Sequence, residues 1–102
     1  MGFEIKLFEE ASLDILEITK WYDLKSPGLG DRFVLEIDKS IEKLSNNPGA
    51  YSYLYNDVRR LRLQKFPYII FYKIQADVVR IYGVIHIKRN PSLYKKRLKK
   101  LR

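Results

Sequence analysis

The sequence predicts an α+β fold, in which an antiparallel helical hairpin covers one side of an antiparallel sheet. Three patterns indicate this. The first residues alternate between apolar and polar, two later stretches repeat with helical period, and the second half holds three strand-like runs with short breaks. Each helix and the sheet then have one apolar side, and packing the helices on the sheet buries the apolar sides of both layers. The length of 102 residues fits a single domain over 1–102, with a basic C-terminal tail at 88–102.

The N-terminal half predicts a strand followed by two helices. Residues 3–8 alternate like a strand with one buried side, and the period lengthens from Glu9 onward. Ser26 and Pro27 suit the cap and first position of a second helix, which Pro48 and Gly49 end. So short a connection makes the two helices an antiparallel pair. Their apolar stripes are Ala11, Ile15, Ile18 and Tyr22 in the first helix, and Phe33, Val34, Ile37, Ile41 and Leu44 in the second.

The C-terminal half predicts a loop, three strands and a short helix. Residues 50–57 form a Tyr-rich loop, and the strand-like runs cover 58–66, 68–75 and 78–88. The Ala76-Asp77 pair between the last two runs is short enough for a hairpin turn. In the tail, Asn90 and Pro91 suit a helix start, and a short helix follows that is ordered on binding. The predicted order is β-α-α-β-β-β with a short basic C-terminal helix.

Charge is divided unevenly between the two halves. Residues 1–57 hold six Lys or Arg against eleven Asp or Glu, whereas residues 58–102 hold fourteen against one. From Lys88 to the end there are eight basic residues and no acidic one. Such asymmetry indicates a polyanionic target or an acidic protein partner, and the plain alternative is a solvated basic surface.

Composition excludes several classes of function. The chain has no cysteine, which removes disulfides, thiolate metal sites and Cys nucleophiles and is compatible with a reducing cytoplasm. The first ten residues do not have the pattern of a secretory signal, and no apolar run approaches the ~20 residues that span a bilayer. We therefore expect a cytoplasmic protein without a membrane partner.

Strand alternation predicts one open face of the sheet that mixes cations with aromatic rings. The side chains assigned to it are Arg60, Arg62, Phe71, Lys73, Arg80, Tyr82 and His86, with Val84 beside them, and Arg89 and Tyr94 at its edge. Ile85 and Ile87 are assigned to the opposite, core side. Cations suit phosphates and rings suit bases, so the face fits a nucleic-acid strand. An ordinary solvated sheet face is the alternative.

Other catalytic arrangements have little support. His86 is the only histidine, so a histidine cluster for a metal is excluded, and a lone strand histidine is usually structural. The carboxylates of the first helix, Glu9, Glu10, Asp14 and Glu17, are assigned to its solvated side. No serine lies in a nucleophile elbow, and Gly28 and Gly30 do not follow a strand as a phosphate loop requires. Any chemistry would fall to cationic and aromatic side chains, with no cofactor and no metal.

The ordered set of elements resembles the RelE/ParE superfamily of toxins from bacterial type II toxin–antitoxin systems. The residues that carry the resemblance are the Asp14-Ile15 pair, Phe33 through Leu44 to Pro48, the Arg59-Arg60-Leu61 strand, the FPYIIFYKI strand, and VVRIYGVIHIKRNP with His86 and Arg89. The His-x-x-Arg ending is most similar to the ParE branch, which includes plasmid stabilisation proteins.

The resemblance implies two different activities. RelE-like members are ribosome-dependent endonucleases that cut mRNA without a metal, whereas ParE-like members poison DNA gyrase. A nuclease would use Arg60, Arg62 and Arg89 on phosphate, with His86 or Tyr94 moving the proton. RelE-like nucleases commonly carry an arginine directly after the tyrosine of the aromatic strand, and here Ile69 stands there. Loss of such a group typically costs ~10²–10³ in rate, which favours the ParE-like interpretation.

Three functions therefore stay open: a ParE-like gyrase inhibitor, a RelE-like mRNA endonuclease, and a non-toxic nucleic-acid-binding relic of the family. The resemblance also implies a cognate antitoxin, whose acidic segment the basic half would attract. We expect the tail 94–102 to be mobile in the free protein and partly covered in that complex. The residues assigned to nucleic-acid or partner binding are Arg59, Lys73, Arg80, Tyr82, Lys88, Lys95, Lys96 and Arg97.

Overall fold

The computed structural model describes residues 2–88 and 91–100, with side chains from residue 95 onward in the second range. It confirms the predicted mixed α+β order of a strand, two helices, further strands and a short C-terminal helix. The elements are β1 (Glu4–Leu7), α1 (Glu9–Lys25), α2 (Leu29–Asn46), a 3-10 turn (Pro48–Ala50), β2 (Tyr53–Tyr55), β3 (Val58–Arg62), β4 (Tyr68–Gln75), β5 (Val78–His86) and α3 (Pro91–Lys99).

The strands form one sheet in the order β1-β5-β4-β3-β2. Strands β2 to β5 pair antiparallel, and β1 joins the edge of β5 in parallel. The parallel pairing follows from the chain path. The two antiparallel helices separate β1 from the other strands and carry the chain to the opposite edge of the sheet, where β2 runs opposite to β1. The three antiparallel steps from β2 to β5 then make β5 parallel to β1. Beyond Leu7 and its partner Ile81, the outer edge of β5 has no strand beside it in the described chain.

Two local predictions are wrong. The loop predicted at 50–57 contains strand β2, which is only three residues long and is held by the β3 backbone rather than by a pattern of its own. The second helix begins at Leu29, because Gly28 takes a left-handed conformation with φ of 86° and Ser26 ends α1 instead. The carboxylate of Asp23 accepts a hydrogen bond from the Gly30 N–H at 2.8 Å, so α1 caps α2 from outside.

The main core lies between the helical hairpin and the sheet. Phe33 is completely buried and lies 5.3–5.7 Å, ring centre to ring centre, from Tyr22, Phe66 and Tyr68. The predicted assignment of Phe71 and Lys73 to the side of β4 away from this core is confirmed, since the alternate residues Tyr68, Ile70 and Tyr72 belong to the core. Burial raises the pKa of the Tyr72 phenol, which donates a hydrogen bond to the Pro48 carbonyl at 2.6 Å and so anchors the 3-10 turn.

Candidate functional site

The side of the sheet that faces away from α1 and α2 is called the second face here. It is built from alternate residues of β1, β5, β4 and β3, and the pairing of neighbouring strands shows which residues project to this side. Arg60 lies opposite Phe71, and Arg62 lies opposite Ile69, so both arginines project from β3 onto this face. Both are exposed. The structure thus places these two predicted site residues together, as alternation along the strand indicated.

The middle of the second face is not open, contrary to the sequence-based prediction. Phe71 is 1% exposed and Ile69 is 7% exposed. Leu98 of α3 is buried against them in a separate apolar cluster, so the C-terminal helix covers the centre of the face. These contacts favour a docked helix, and the mobility expected for 94–102 stays a prediction for hydrogen exchange. The buried cluster consists of Val58, Ile69, Phe71, Ile85 and Leu98.

A β-bulge in β5 explains why His86 lies elsewhere. Phe71 pairs with Gly83 and Tyr72 pairs with Ile81, which leaves Tyr82 as one extra residue in β5. The extra residue reverses the alternation, so that Val84 joins the main core and Ile85 the second face, opposite to their predicted sides.

The prediction that His86 shares a face with Arg60 and Arg62 is therefore wrong. Its ring lies 5.1 Å from that of Tyr68, its partner in the strand pairing and a member of the main core. Its Nδ1 accepts a hydrogen bond from the Lys88 N–H. The glycine inside the strand and the adjacent apolar pair after it were the available sequence signal for a bulge.

Arg97 holds α3 against the part of the β5 edge that has no strand beside it. Its guanidinium donates to both carboxylate oxygens of Asp14 at 2.8 and 3.0 Å, and to the Tyr82 carbonyl at 2.9 Å. Asp14 also accepts from the Val84 N–H at 2.9 Å, and Glu10 lies 3.3 Å from the Arg97 Nε. One carboxylate thus links α1, the bulged strand and α3. The prediction that Asp14 belongs to the solvated side of its helix is wrong.

Burial decides the electrostatics of Asp14. Desolvation raises its pKa above the ordinary value, and the Val84 N–H and Arg97, which both lower it, do not fully compensate. The cost of removing the Asp14 carboxylate from water therefore offsets part of its attraction to Arg97, and the main role of the ion pair is to position α3. Gly83 makes the close approach possible, because a Cβ there would lie 2.5 Å from the Phe71 ring and collide with the Arg97 guanidinium.

The remaining cations of the second face differ in how they are held. Lys73 is 9% exposed, forms an ion pair with Asp57 at 3.5 Å and lies 5.9 Å from the centre of the Tyr82 ring. Arg80 is directly opposite Lys73 in the pairing and is half-buried. The structure thus keeps Lys73, Arg80 and Tyr82 on one face, as alternation before the bulge indicated.

The other predicted binding residues are dispersed. Arg59 is half-buried and donates to the Tyr51 carbonyl at 2.6 Å and to the Tyr53 hydroxyl at 2.7 Å, so its contacts are structural. Lys88, Lys95 and Lys96 are exposed. Arg89 and the side chain of Tyr94 lie outside the described residues.

The described residues also bear on two general questions. Across 2–88 and 91–100 there is no group of three or more His, Cys, Asp or Glu placed to hold a metal ion. No helix in those ranges is both long and apolar enough to cross a bilayer.

Comparison with solved structures defines the fold class. A chain of the chromosomal ParDE toxin–antitoxin system from P. aeruginosa matches with a TM-score of 0.76 at 20% identity, covering 84% of this chain and 97% of that one. A double mutant of the E. coli toxin RelE in the free state matches with a TM-score of 0.69 at 14% identity, over 100% of both chains. The RelBE2 toxin–antitoxin complex of Mycobacterium tuberculosis matches at 0.59 and 16% identity, covering 84% of this chain and 99% of that one. The chain therefore shares the fold of these structures.

A family model narrows this class. The model for the ParE toxin of type II toxin–antitoxin systems, parDE, matches residues 5–91, and the chain belongs to that family. The matched range contains β2 to β5, both long helices and β1 from its second residue onward, and it ends where α3 begins. No curated protein sequence matches the chain significantly.

Proposed function

We propose that this chain is a ParE-like toxin that arrests growth by poisoning DNA gyrase and that a cognate antitoxin neutralises it. The observation that carries the proposal is the environment of Ile69. This position follows the tyrosine of β4, where RelE-like nucleases commonly place an arginine, and it lies 7% exposed beneath α3. A cation there would have to leave the apolar cluster to reach a phosphate. Membership of the ParE toxin family supports the same conclusion.

A second candidate, ribosome-dependent mRNA cleavage, is favoured by one observation. Arg60 and Arg62 are exposed on the same face, two residues apart on one strand, where cations could hold an RNA phosphate. His86, the residue that the sequence suggested for proton transfer, lies against the main core and away from both arginines. The nuclease hypothesis thus keeps two phosphate-binding side chains and loses its histidine.

The antitoxin partner is proposed from the neighbours and from charge. Two of the similar structures are described as toxin–antitoxin systems or complexes. Residues 58–102 carry fourteen basic residues against one acidic one, so an acidic antitoxin segment would be attracted at long range. Co-expression with a small acidic protein encoded beside the gene should restore growth.

Two assays on one preparation test the target. Primer extension on mRNA in a reconstituted translation reaction reports ribosome-dependent cleavage, and a supercoiling assay reports gyrase inhibition. We expect intact mRNA and inhibited supercoiling from protein that arrests growth in cells. New cuts within ribosome-bound codons, abolished by Arg60→Ala with Arg62→Ala, would establish the nuclease instead. A preparation that leaves growth unaffected without antitoxin would support the non-toxic relic.

A further inference from the structure

Three cations lie side by side across one end of the second face. Lys6 of β1 pairs with Arg80 of β5, and Arg80 pairs with Lys73 of β4. Paired residues of neighbouring strands project to the same side, and strands lie about 4.8 Å apart. The row therefore spans about 10 Å with three positive charges at nearly regular intervals. The sequence separation of these residues hides the row from any local motif.

The described contacts of the three cations are unequal. Asp57 pairs with Lys73, and the Asp57 side chain is 72% exposed. Lys6 and Arg80 have no hydrogen bond or ion pair to any side chain in 2–88 or 95–100. The Arg80 Nε is buried from solvent and has no acceptor among those residues.

Such an arrangement opposes folding. A buried guanidinium N–H without an acceptor loses its hydration, and like charges on adjacent strands repel each other. Local features that destabilise a fold, with no compensating contact, are expected mainly at functional sites such as ligand-binding sites. A ligand that supplies acceptor oxygens and negative charge would remove both costs at once.

We propose that Lys6, Arg80 and Lys73 bind a phosphate group of a nucleic-acid backbone. A backbone phosphate carries its negative charge on two non-bridging oxygens, and a guanidinium is well suited to holding such a pair of oxygens. The same face carries the exposed Arg60 and Arg62 two strands away, which gives a polyanionic strand further contacts. The contact is to the backbone, so it reads no base sequence. This site does not depend on whether gyrase or mRNA is the target.

The test measures binding of short fluorescent single-stranded RNA and DNA by anisotropy over a range of salt concentrations. Arg80→Gln and Lys6→Gln are compared with Lys20→Gln, which removes the same charge from an exposed position on α1. We expect each variant of the row to reduce the slope of log affinity against log salt by about one, equally for different base sequences. The Lys20 variant should leave the slope nearly unchanged.

A second measurement separates binding from simple charge loss. In buffer without phosphate or sulfate, Arg80→Gln should raise the denaturation midpoint, whereas added inorganic phosphate should stabilise the wild type more than the variant. Slopes indistinguishable from that of the Lys20 variant would overturn the proposal, as would a lower midpoint for Arg80→Gln without anions. If an acidic peptide binds in an Arg80-dependent manner and oligonucleotides do not, the row is a protein contact and the nucleic-acid assignment is wrong.

Discussion

The two sides of this sheet are built on different principles. The helix-facing side buries a large aromatic core around Phe33 under two helices of 17 and 18 residues. On the second face, four buried side chains of the sheet form a cluster with Leu98 of one nine-residue helix, and cations surround this cluster. The first arrangement stabilises the fold, and the second places charge where a partner can reach it. The comparison teaches that the larger apolar core and the row of paired cations lie on opposite sides of the same strands.

Truncation of one buried side chain on each side of the sheet tests this difference most directly. Phe33→Ala should destabilise the protein by about 3–5 kcal/mol, since the ring is completely buried among three others. That is a large part of the ~5–15 kcal/mol that holds a typical domain together. Leu98→Ala should release α3, because so short a helix is unstable without its packing, while the sheet stays folded.

Chemical denaturation and amide hydrogen exchange distinguish these outcomes. Phe33→Ala should lower protection throughout the chain, and Leu98→Ala should lower it mainly in α3. Equal global losses from the two substitutions would show that the second face belongs to the same cooperative core, and the division drawn here would fail.

Asp14 provides a second test, because its carboxylate links α1 on the helix-facing side to α3 on the second face. Its folded pKa is raised, so its favourable contribution is complete below the unfolded pKa of about 3.9 and is lost as pH rises through the folded pKa. Asp14→Asn keeps an acceptor for the Val84 N–H and removes the charge, so we expect a cost below about 1 kcal/mol at neutral pH. Asp14→Ala removes the acceptor of that N–H and the bidentate partner of Arg97, and should cost about 2–3 kcal/mol.

Denaturation curves of the wild type and Asp14→Asn across acidic to neutral pH provide the check. The stability of the wild type relative to the amide variant should decrease as pH rises. The reverse trend would mean that attraction to Arg97 outweighs burial and that the Asp14 pKa is lowered.

Sequence patterns predicted the architecture because the helical hairpin and most strands carry strong periodicity. The phase of β4 was placed correctly, although alternation alone left it ambiguous because both its sides are apolar. The face of His86 was not, because a single extra residue at Tyr82 reverses everything that follows. A bulge depends on how two strands pair, and no pattern within one strand specifies it completely.

The candidate site was only partly accessible to sequence reasoning for a related reason. Arg60 and Arg62 were assigned correctly to one face because they share a regular strand. The link between Asp14 and Arg97 joins residues 83 positions apart, and the row that includes Lys6 depends on the parallel pairing of β1. Long-range pairing brings these charges together, so their proximity could not be deduced from spacing along the chain.

The smallest predicted effect concerns the hairpin that both sides share. Ala76, in the turn between β4 and β5, has φ of 54°. This left-handed conformation is unfavourable for most residues except Gly and Asn. Ala76→Gly should therefore stabilise the protein by about 0.5–1 kcal/mol, after the added chain entropy of the unfolded state is included. Asn56 has a similar φ of 48° in the turn before β3, and Asn56→Ala should destabilise by a comparable amount. Because β4 and β5 carry both apolar clusters, Ala76→Gly should raise the global unfolding free energy and leave the local exchange of α3 unchanged. A gain confined to α3, or a loss of stability, would show that the hairpin does not couple the two sides.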